Sequence, residues 1–385
     1  MSATVMRAAV LVDVNRIEVR DVPRVSPAPH EVMVRVEAVG LCGTDIHIVA
    51  GHANYNRDAR GNILSLKDHP QILGHEIAGV LHELGSAVRG LREGERVIID
   101  QGRTCISERI APACEYCLTG DSHQCERYRE HGLTGIPGGF AEYITVPALN
   151  AVRIESDIVA EYAALSEPLG CVIHSTDFVT RAASRYSLRA AGRDQTIRSM
   201  LISGGGPAGL LFVQYLRNVI GYDGLLLVSE PNARKRGLAE RFGALALDPN
   251  AVDLVEVVSE LTEGRKLELF IDASGAGEVY TAIPRLLRKQ GTVLMYGHGH
   301  TGVELGVMNG VQFLEPTLVS PVGASGGHDA DGRPATYVRA LRLVEDGEID
   351  VASLVSHRYS SLDQVASAFA GDHRLADYVK GVVVL

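Results

Sequence analysis

Residues Met200-Leu201-Ile202-Ser203-Gly204-Gly205-Gly206-Pro207-Ala208-Gly209-Leu210 constrain this chain more than any other stretch. An apolar strand runs straight into G-x-G-x-x-G, and a helical run follows. Gly204 permits a tight turn, Gly206 lets the backbone approach a pyrophosphate, and Gly209 allows the helix to pack closely on the strand. Pro207 and Ala208 open the helix, whose free N–H groups and positive dipole end face the anion. A second strand, Leu225–Ser229, ends at Glu230, 21 residues after Gly209, where an acid meets the adenosine ribose 2′-OH. That favours NAD over NADP, although the basic Arg234 and Lys235 lie close enough to accept a 2′-phosphate.

Strand and helix keep alternating beyond the loop. Leu267–Ala273 and Thr292–Gly297 read as strands, and Leu210–Val219 and Val279–Lys289 as helices. This pattern predicts a doubly wound parallel sheet over 171–329. The earlier half has a different texture. Glu31–Gly40 alternates apolar and polar residues with period two, and Ile77–Leu81 and Arg96–Asp100 continue as strands between Gly-rich turns. Residues 1–170 therefore read as a β-rich domain, completed by 330–385. That tail holds a helix, Tyr337–Glu345, and ends in the strand-like Val382-Val383-Val384-Leu385. Ala160–Arg181 reads as mostly helix. Two segments look inserted: His52–Asp68, a polar loop, and Ala182–Arg198, a basic one. At 385 residues the chain accommodates both domains.

The β-rich half carries metal-type donors. Cys42 follows a strand at a Gly-bounded turn, and His75 sits in Gly74-His75-Glu76; thiolate, imidazole and carboxylate are what zinc binds. A catalytic zinc needs three protein ligands and an open position. Glu167, Cys171 and Glu76 compete for the third. If Ser166–Cys171 is helical, Glu167 and Cys171 share a face one turn apart. Glu76 serves either as ligand or as an acid behind it. Cys114-x2-Cys117-x7-Cys125, with Cys105 nine residues upstream, reads as a closed four-thiolate zinc site of structural role.

The net charge of −10 disfavours a nucleic-acid backbone as partner. The N-terminal residues lack the apolar core of a signal peptide, and no stretch approaches the roughly 20 apolar residues of a membrane span. The cytoplasm is the expected location.

Together and in this order, Gly40-Leu41-Cys42-Gly43-Thr44-Asp45-Ile46-His47, Gly74-His75-Glu76, Gly94-Glu95-Arg96-Val97, the Cys114/Cys117/Cys125 lobe, Gly138–Tyr143, Glu167-Pro168-Leu169 and the Gly204 loop resemble the zinc-dependent medium-chain alcohol/polyol dehydrogenases. Glu-Pro-Leu is similar to the sorbitol, threonine, butanediol and glucose dehydrogenase branch. The resemblance implies an α/β protein with a GroES-like catalytic domain and a Rossmann domain. It further implies zinc and NAD as cofactors, and a secondary alcohol of a polyol, sugar or cyclitol as substrate. In it, Cys42 and His75 hold catalytic zinc, with Glu167 and Glu76 completing the site directly or through water. Thr44 bonds the substrate oxygen and starts a proton relay that His47 continues, while Asp45 orients a ligand. Gly297, His298 and Val322 approach the nicotinamide. Relatives are commonly homodimers or homotetramers. Two departures stand out: Ala111 occupies the place of the lobe's usual first Cys, and Cys171 matches the third-ligand Cys of simple alcohol dehydrogenases. The alternatives are a simple secondary-alcohol dehydrogenase, a zinc-free quinone or enoyl reductase, and a non-catalytic NAD-binding protein.

Overall fold

The computed structural model describes residues 4–189, 192–300 and 302–385. Residues 1–3, and positions 190 and 191 of the 182–198 stretch, lie outside the described residues. The chain forms two compact units. One holds Met1–Cys171, Gly323–Gly347 and Val351–Leu385; the other holds Val172–Val322 and Glu348–Asp350.

The first unit is built on a seven-stranded sheet. Its order is Ala151–Arg153, Arg96–Ile99, Glu76–Leu84, Glu31–Gly40, Lys380–Val384 and Val355–Tyr359, and Tyr143–Pro147 also pairs Glu31–Gly40. The period-two alternation of Glu31–Gly40 reports one buried face, which contributes Val32, Val34 and Val36 to the core beside Ile77, Leu81, Val97 and Ile99. A smaller sheet of Arg16–Pro23, Val5–Asp13 and Gln71–Ile72 carries its own cluster, including Ala8 and Val10. The C-terminal strand inserts beside Glu31–Gly40, with Val382 opposite Gly40 and Val384 opposite Ala38. The tail thus completes the first unit.

The second unit holds a six-stranded parallel sheet. Its order is Leu245–Leu247, Leu225–Ser229, Ser199–Ser203, Leu267–Asp272, Leu287–Met295 and Thr317–Val319. Two strands follow the first outward on one side and three on the other. The order therefore reverses between Ser199–Ser203 and Leu267–Asp272, and the carboxyl ends of those strands form the crevice where such sheets bind nucleotides. All six residues of Leu267–Asp272 are buried, as expected of a strand covered on both faces.

Two elements differ from the sequence expectation. The 279–289 helix stops at Leu286, because Pro284 removes a hydrogen-bond donor near its end. Leu287 is already extended and pairs with Leu267. The helix after the glycine loop spans Pro207–Gln214 and then widens into a π-turn over Tyr215–Val219, where Ile220 N donates to Tyr215 O at 3.0 Å. Among the described residues no helix is long and apolar enough to cross a membrane.

Candidate active site and dinucleotide loop

Cys42 stands at the N-cap of a short helix, Gly43–Val49, immediately after the strand Glu31–Gly40. Antiparallel pairing places Gly40 opposite Glu76. That register brings Cys42, His75 and Glu76 together from distant parts of the sequence. A Cβ on Gly40 would lie 1.9 Å from Glu76 Oε2, so the glycine makes room for the carboxylate. Gly74 turns the chain at φ +89°, and a side chain there would strike Val39 and Phe140. One ligand atom from each of Cys42, His75 and Glu76 falls within 4.8 Å of the others.

Asp45, fully buried, ties the two turns together. Its carboxylate accepts from Cys42 N at 3.2 Å and Gly74 N at 3.4 Å, and Oδ1 lies 3.4 Å from His75 Nδ1. Burial pushes the His75 imidazolium down, but the charges of Asp45 and Cys42 outweigh it, and the pKa is raised well above its ordinary value. Such a site favours a cation, whether proton or metal. Buried His75 Nδ1 and Glu76 Oε2 make no hydrogen bond. Leaving a buried polar atom unmatched costs about 1–3 kcal/mol, and a zinc ion beside Glu76 Oε2 would relieve that cost. The donor set therefore fits zinc.

Glu76 has a partner that sequence reasoning missed. Lys380 Nζ donates to Glu76 Oε1 at 2.5 Å, and both groups are buried. The only sequence signal was a charge opening an otherwise apolar C-terminal strand.

Glu167 and Cys171 do lie one turn apart in the helix Ser166–Arg181. The structure does not place either in the three-donor cluster. Glu167 Oε1 accepts from Gln101 Nε2 at 3.0 Å and from the Cys171 thiol at 3.3 Å. Burial raises the Glu167 pKa to about 7, partly offset by His75 and reinforced by Glu76. Gln101 also donates to Glu130 at 3.1 Å and accepts from the buried Tyr337 hydroxyl. Gln101, Glu130 and Tyr337 carried no motif that would have singled them out.

Thr44 and His47 follow Cys42 on the same short helix, both half-buried. The His47 ring lies 6.1 Å from that of His52. The 52–68 loop folds back on this helix: Ala53 N donates to His47 O at 3.2 Å, and Asn56 packs against Gly135. Tyr55 lies between those anchors. Burial, then the charges of Glu130 and Cys42, raise its pKa.

The four lobe thiols also converge: Cys105, Cys114, Cys117 and Cys125 offer sulfurs within 4.8 Å of one another. Cys105 reaches the others because residues 104–110 turn back on themselves, with Arg109 at φ +54° and Ile110 N bonded to Cys105 O. Cys105 N then donates to Cys125 Sγ at 3.3 Å. Backbone N–H groups of Cys117 and Glu126 lower the Cys114 pKa to about 7, whereas burial and neighbouring thiols push Cys117 to about 12. All four are reduced, and four sulfurs in a closed cluster fit a tetrahedral zinc.

In the second unit, Gly204 adopts φ +98°, and a Cβ on Gly209 would lie 1.9 Å from Gly204 O. Gly206 caps the helix, Pro207 occupies its first turn, and nothing within 4 Å crowds the Gly206 Cβ position. The cradle thus fits a pyrophosphate approaching the backbone. Glu230, buried, accepts from Gly205 N at 2.7 Å and Asn232 N at 2.8 Å. Arg234 is exposed, and Arg236 is held by Asp248 at 3.0 Å. Gly297 N donates to Asp272 O at 2.8 Å, and the His298 carbonyl crowds the Cβ position of Gly275, so Gly297 and His298 sit at the carboxyl end of the sheet. Val322 follows the last strand, half exposed.

Known proteins share this architecture. The alcohol dehydrogenase GroES-like domain family matches residues 28–156, and the zinc-binding dehydrogenase family matches 207–346. L-threonine 3-dehydrogenase of Pyrococcus furiosus is 31% identical over 350 residues, covering 91% of this chain and 89% of that protein. Sorbitol dehydrogenase of Halalkalibacterium halodurans is 28% identical over 343 residues, covering 89% and 88%. A zinc-binding dehydrogenase of Sinorhizobium meliloti, solved with NADP bound, superposes with TM-score 0.77 at 30% identity over 99% of this chain and 100% of that one.

Proposed function

The chain belongs to the zinc-dependent medium-chain alcohol and polyol dehydrogenases, enzymes that use zinc and NAD(H), and from that premise we propose that it interconverts a secondary alcohol flanked by further hydroxyls with its ketone. The substrate class is a polyol, sugar or cyclitol. The observation that carries this reading is the convergence of Cys42, His75 and Glu76 beside a wall of polar groups, Tyr55, Gln101, Glu130 and Glu167. A site that hydrogen-bonds several hydroxyls discriminates strongly against analogues lacking them. The sorbitol dehydrogenase relative supports the same class. A second reading, an amino alcohol, is favoured by the threonine dehydrogenase relatives and by the carboxylates of Glu130 and Glu167, which suit an ammonium group.

Cys42, His75 and an acid would hold zinc, which would supply a Lewis acid for the substrate hydroxyl, and bound NAD+ would supply the hydride acceptor. The chain's residues do the rest. Asp45 fixes the turns of Cys42 and His75 relative to one another. Thr44 accepts the hydroxyl proton while handing on its own, and His47 carries the relay towards His52. The Gly204–Gly209 loop binds the pyrophosphate, and Glu230 takes the adenosine ribose, which favours NAD.

Cys42→Ser in zinc-loaded protein is expected to abolish turnover while NADH binding persists. An NADH-formation assay over polyols, cyclitols, L-threonine and simple secondary alcohols, with NAD and with NADP, identifies the substrate class. Retained turnover in Cys42→Ser sinks the zinc mechanism, and a preference for simple alcohols sinks the polyol assignment.

A further inference from the structure

The carboxyl end of the parallel sheet holds a cluster that the proposed chemistry does not use. Asp272 closes the strand Leu267–Asp272 and is completely buried. Its Oδ1 accepts from Ser274 N at 3.0 Å, Ser274 Oγ at 2.8 Å and Gly275 N at 3.2 Å. Its Oδ2 lies 2.5 Å from His300 Nε2 and accepts from Tyr280 OH at 3.3 Å. The His300 ring meets the Tyr280 ring edge-on, with centroids 5.2 Å apart. The Asp272 carbonyl accepts from Tyr296 N and Gly297 N. One residue therefore joins the 273–276 turn, the helix Val279–Leu286 and the 296–300 loop.

Those two loops touch through their backbones. A Cβ on Gly297 would lie 2.3 Å from Gly275 N, and one on Gly275 would lie 2.1 Å from His298 O. Such contact leaves no slack, so the position of 296–300 follows that of 273–276. Both loops lie at the carboxyl ends of strands on the far side of the topological switch point from Glu230, where the second half of a dinucleotide binds. Without the His300 tie, the 296–300 loop keeps its main-chain bonds to Asp272 at its first two residues, Tyr296 and Gly297.

We propose that His300 is a positioning residue for the nicotinamide half of the cofactor, latching the 296–300 loop to the buried Asp272 carboxylate. The proposal rests on the NAD assignment above. It predicts a split between two ligands. ADP-ribose needs only the glycine loop and Glu230, whereas NADH also needs the 296–300 loop in place.

The test uses zinc-loaded full-length protein, with NADH binding followed by fluorescence and ADP-ribose binding by calorimetry. In His300→Ala, NADH binding is expected to weaken about ten-fold, the scale of one lost hydrogen bond to a charged group. ADP-ribose binding should stay within about two-fold, since its own contacts are intact. His300→Gln keeps an N–H donor and should recover part of the loss. Tyr280→Phe removes the other side-chain donor to Oδ2 and should reproduce the split more weakly. With substrate, KM for NAD+ should rise more than kcat falls. Equal weakening of both ligands, or unchanged NADH binding in His300→Ala, overturns the latch. Wild-type protein that binds neither ligand overturns the NAD assignment itself.

Discussion

Lys380→Met removes the ammonium from a buried ion pair while keeping most of the stem's bulk. The pair joins the C-terminal strand to the start of Glu76–Leu84, with Nζ and Oε1 2.5 Å apart and both side chains buried. At an effective dielectric of about 20 the gross attraction at that distance is roughly 7 kcal/mol. Desolvation of both charges cancels much of it, but breaking a buried pair from one side still costs about 3–5 kcal/mol, because the remaining charge is stranded. Glu76 is poorly placed to absorb that loss, since its Oε2 already lacks a hydrogen-bond partner. At roughly 2–4 °C per kcal/mol for a unit of 150–250 residues, the first unit's melting temperature should fall by about 6–20 °C. The assay is calorimetry at pH 7 on protein stripped of zinc by a chelator, so that loss of the pair is read apart from loss of metal at Glu76. Burial lowers the Lys380 pKa, but the charges of Glu76 and Cys42 outweigh it and leave it raised. The contribution is therefore complete below the unfolded lysine value of about 10.4 and is lost only as pH rises through the higher folded value. A pH 7 experiment sees all of it. Lys380→Arg should retain most of the stability, and Lys380→Met with Glu76→Gln should recover much of the loss. A fall below about 2 °C in Lys380→Met, or a double variant no more stable than the single, refutes the reasoning.

Cys105→Ser is expected to lower bound zinc from about two ions per chain to about one, read by elemental analysis, since the lobe then offers three thiolates where a closed site needs four. Burial lowers the His131 pKa to about 4, helped by Arg103 and opposed by its bond to the Pro137 carbonyl. Its contribution is present above the unfolded value of about 6.5 and lost as pH falls from there through 4, on the order of 3 kcal/mol in all; His131→Asn should flatten that part of a stability–pH curve. Tyr55→Phe should raise KM for a polyol about 3- to 10-fold, the range of one hydrogen bond, and leave a simple secondary alcohol unaffected; equal effects on both would remove Tyr55 from substrate recognition.

The glycine loop was legible because its chemistry is local. Turn, pyrophosphate approach and helix packing each need a particular glycine within a few residues, and Gly204, Gly206 and Gly209 stand where those demands fall. Cys42, His75 and Glu76 were legible as donors from their chemistry and as one site only through the family resemblance, since their convergence depends on Gly40 pairing with Glu76 across two strands. Cys105 was visible as a thiol, but only the turn at Arg109 carries it back to Cys125. Gln101 and Tyr337 left no trace, because a single Gln and a single Tyr in unrelated segments form no pattern until folding joins them to Glu167. Lys380 left a faint one: a lysine opening an apolar strand beside the core is costly unless an acid awaits it.

The competition between Glu76 and Glu167 for the third ligand position turns on what already holds each carboxylate. Glu76 has one oxygen on Lys380 and the other buried without a partner, in the same 4.8 Å cluster as Cys42 and His75. Glu167 Oε1 is engaged by the Gln101 amide and the Cys171 thiol, and its pKa near 7 makes a proton available at low cost. An ion entering this geometry would meet Glu76 as a ready donor, whereas Glu167 would first have to exchange a hydrogen-bonded position for a metal bond. Glu76→Gln is therefore expected to weaken zinc binding by at least about 10- to 100-fold, the range that supporting residues alone command, and Glu167→Gln to change zinc affinity by less than about ten-fold while lowering kcat. Competition with a chelator of known zinc affinity measures both. The reverse order of effects would mean that Gln101 releases Glu167 to the metal, and that Lys380 holds Glu76 back from it.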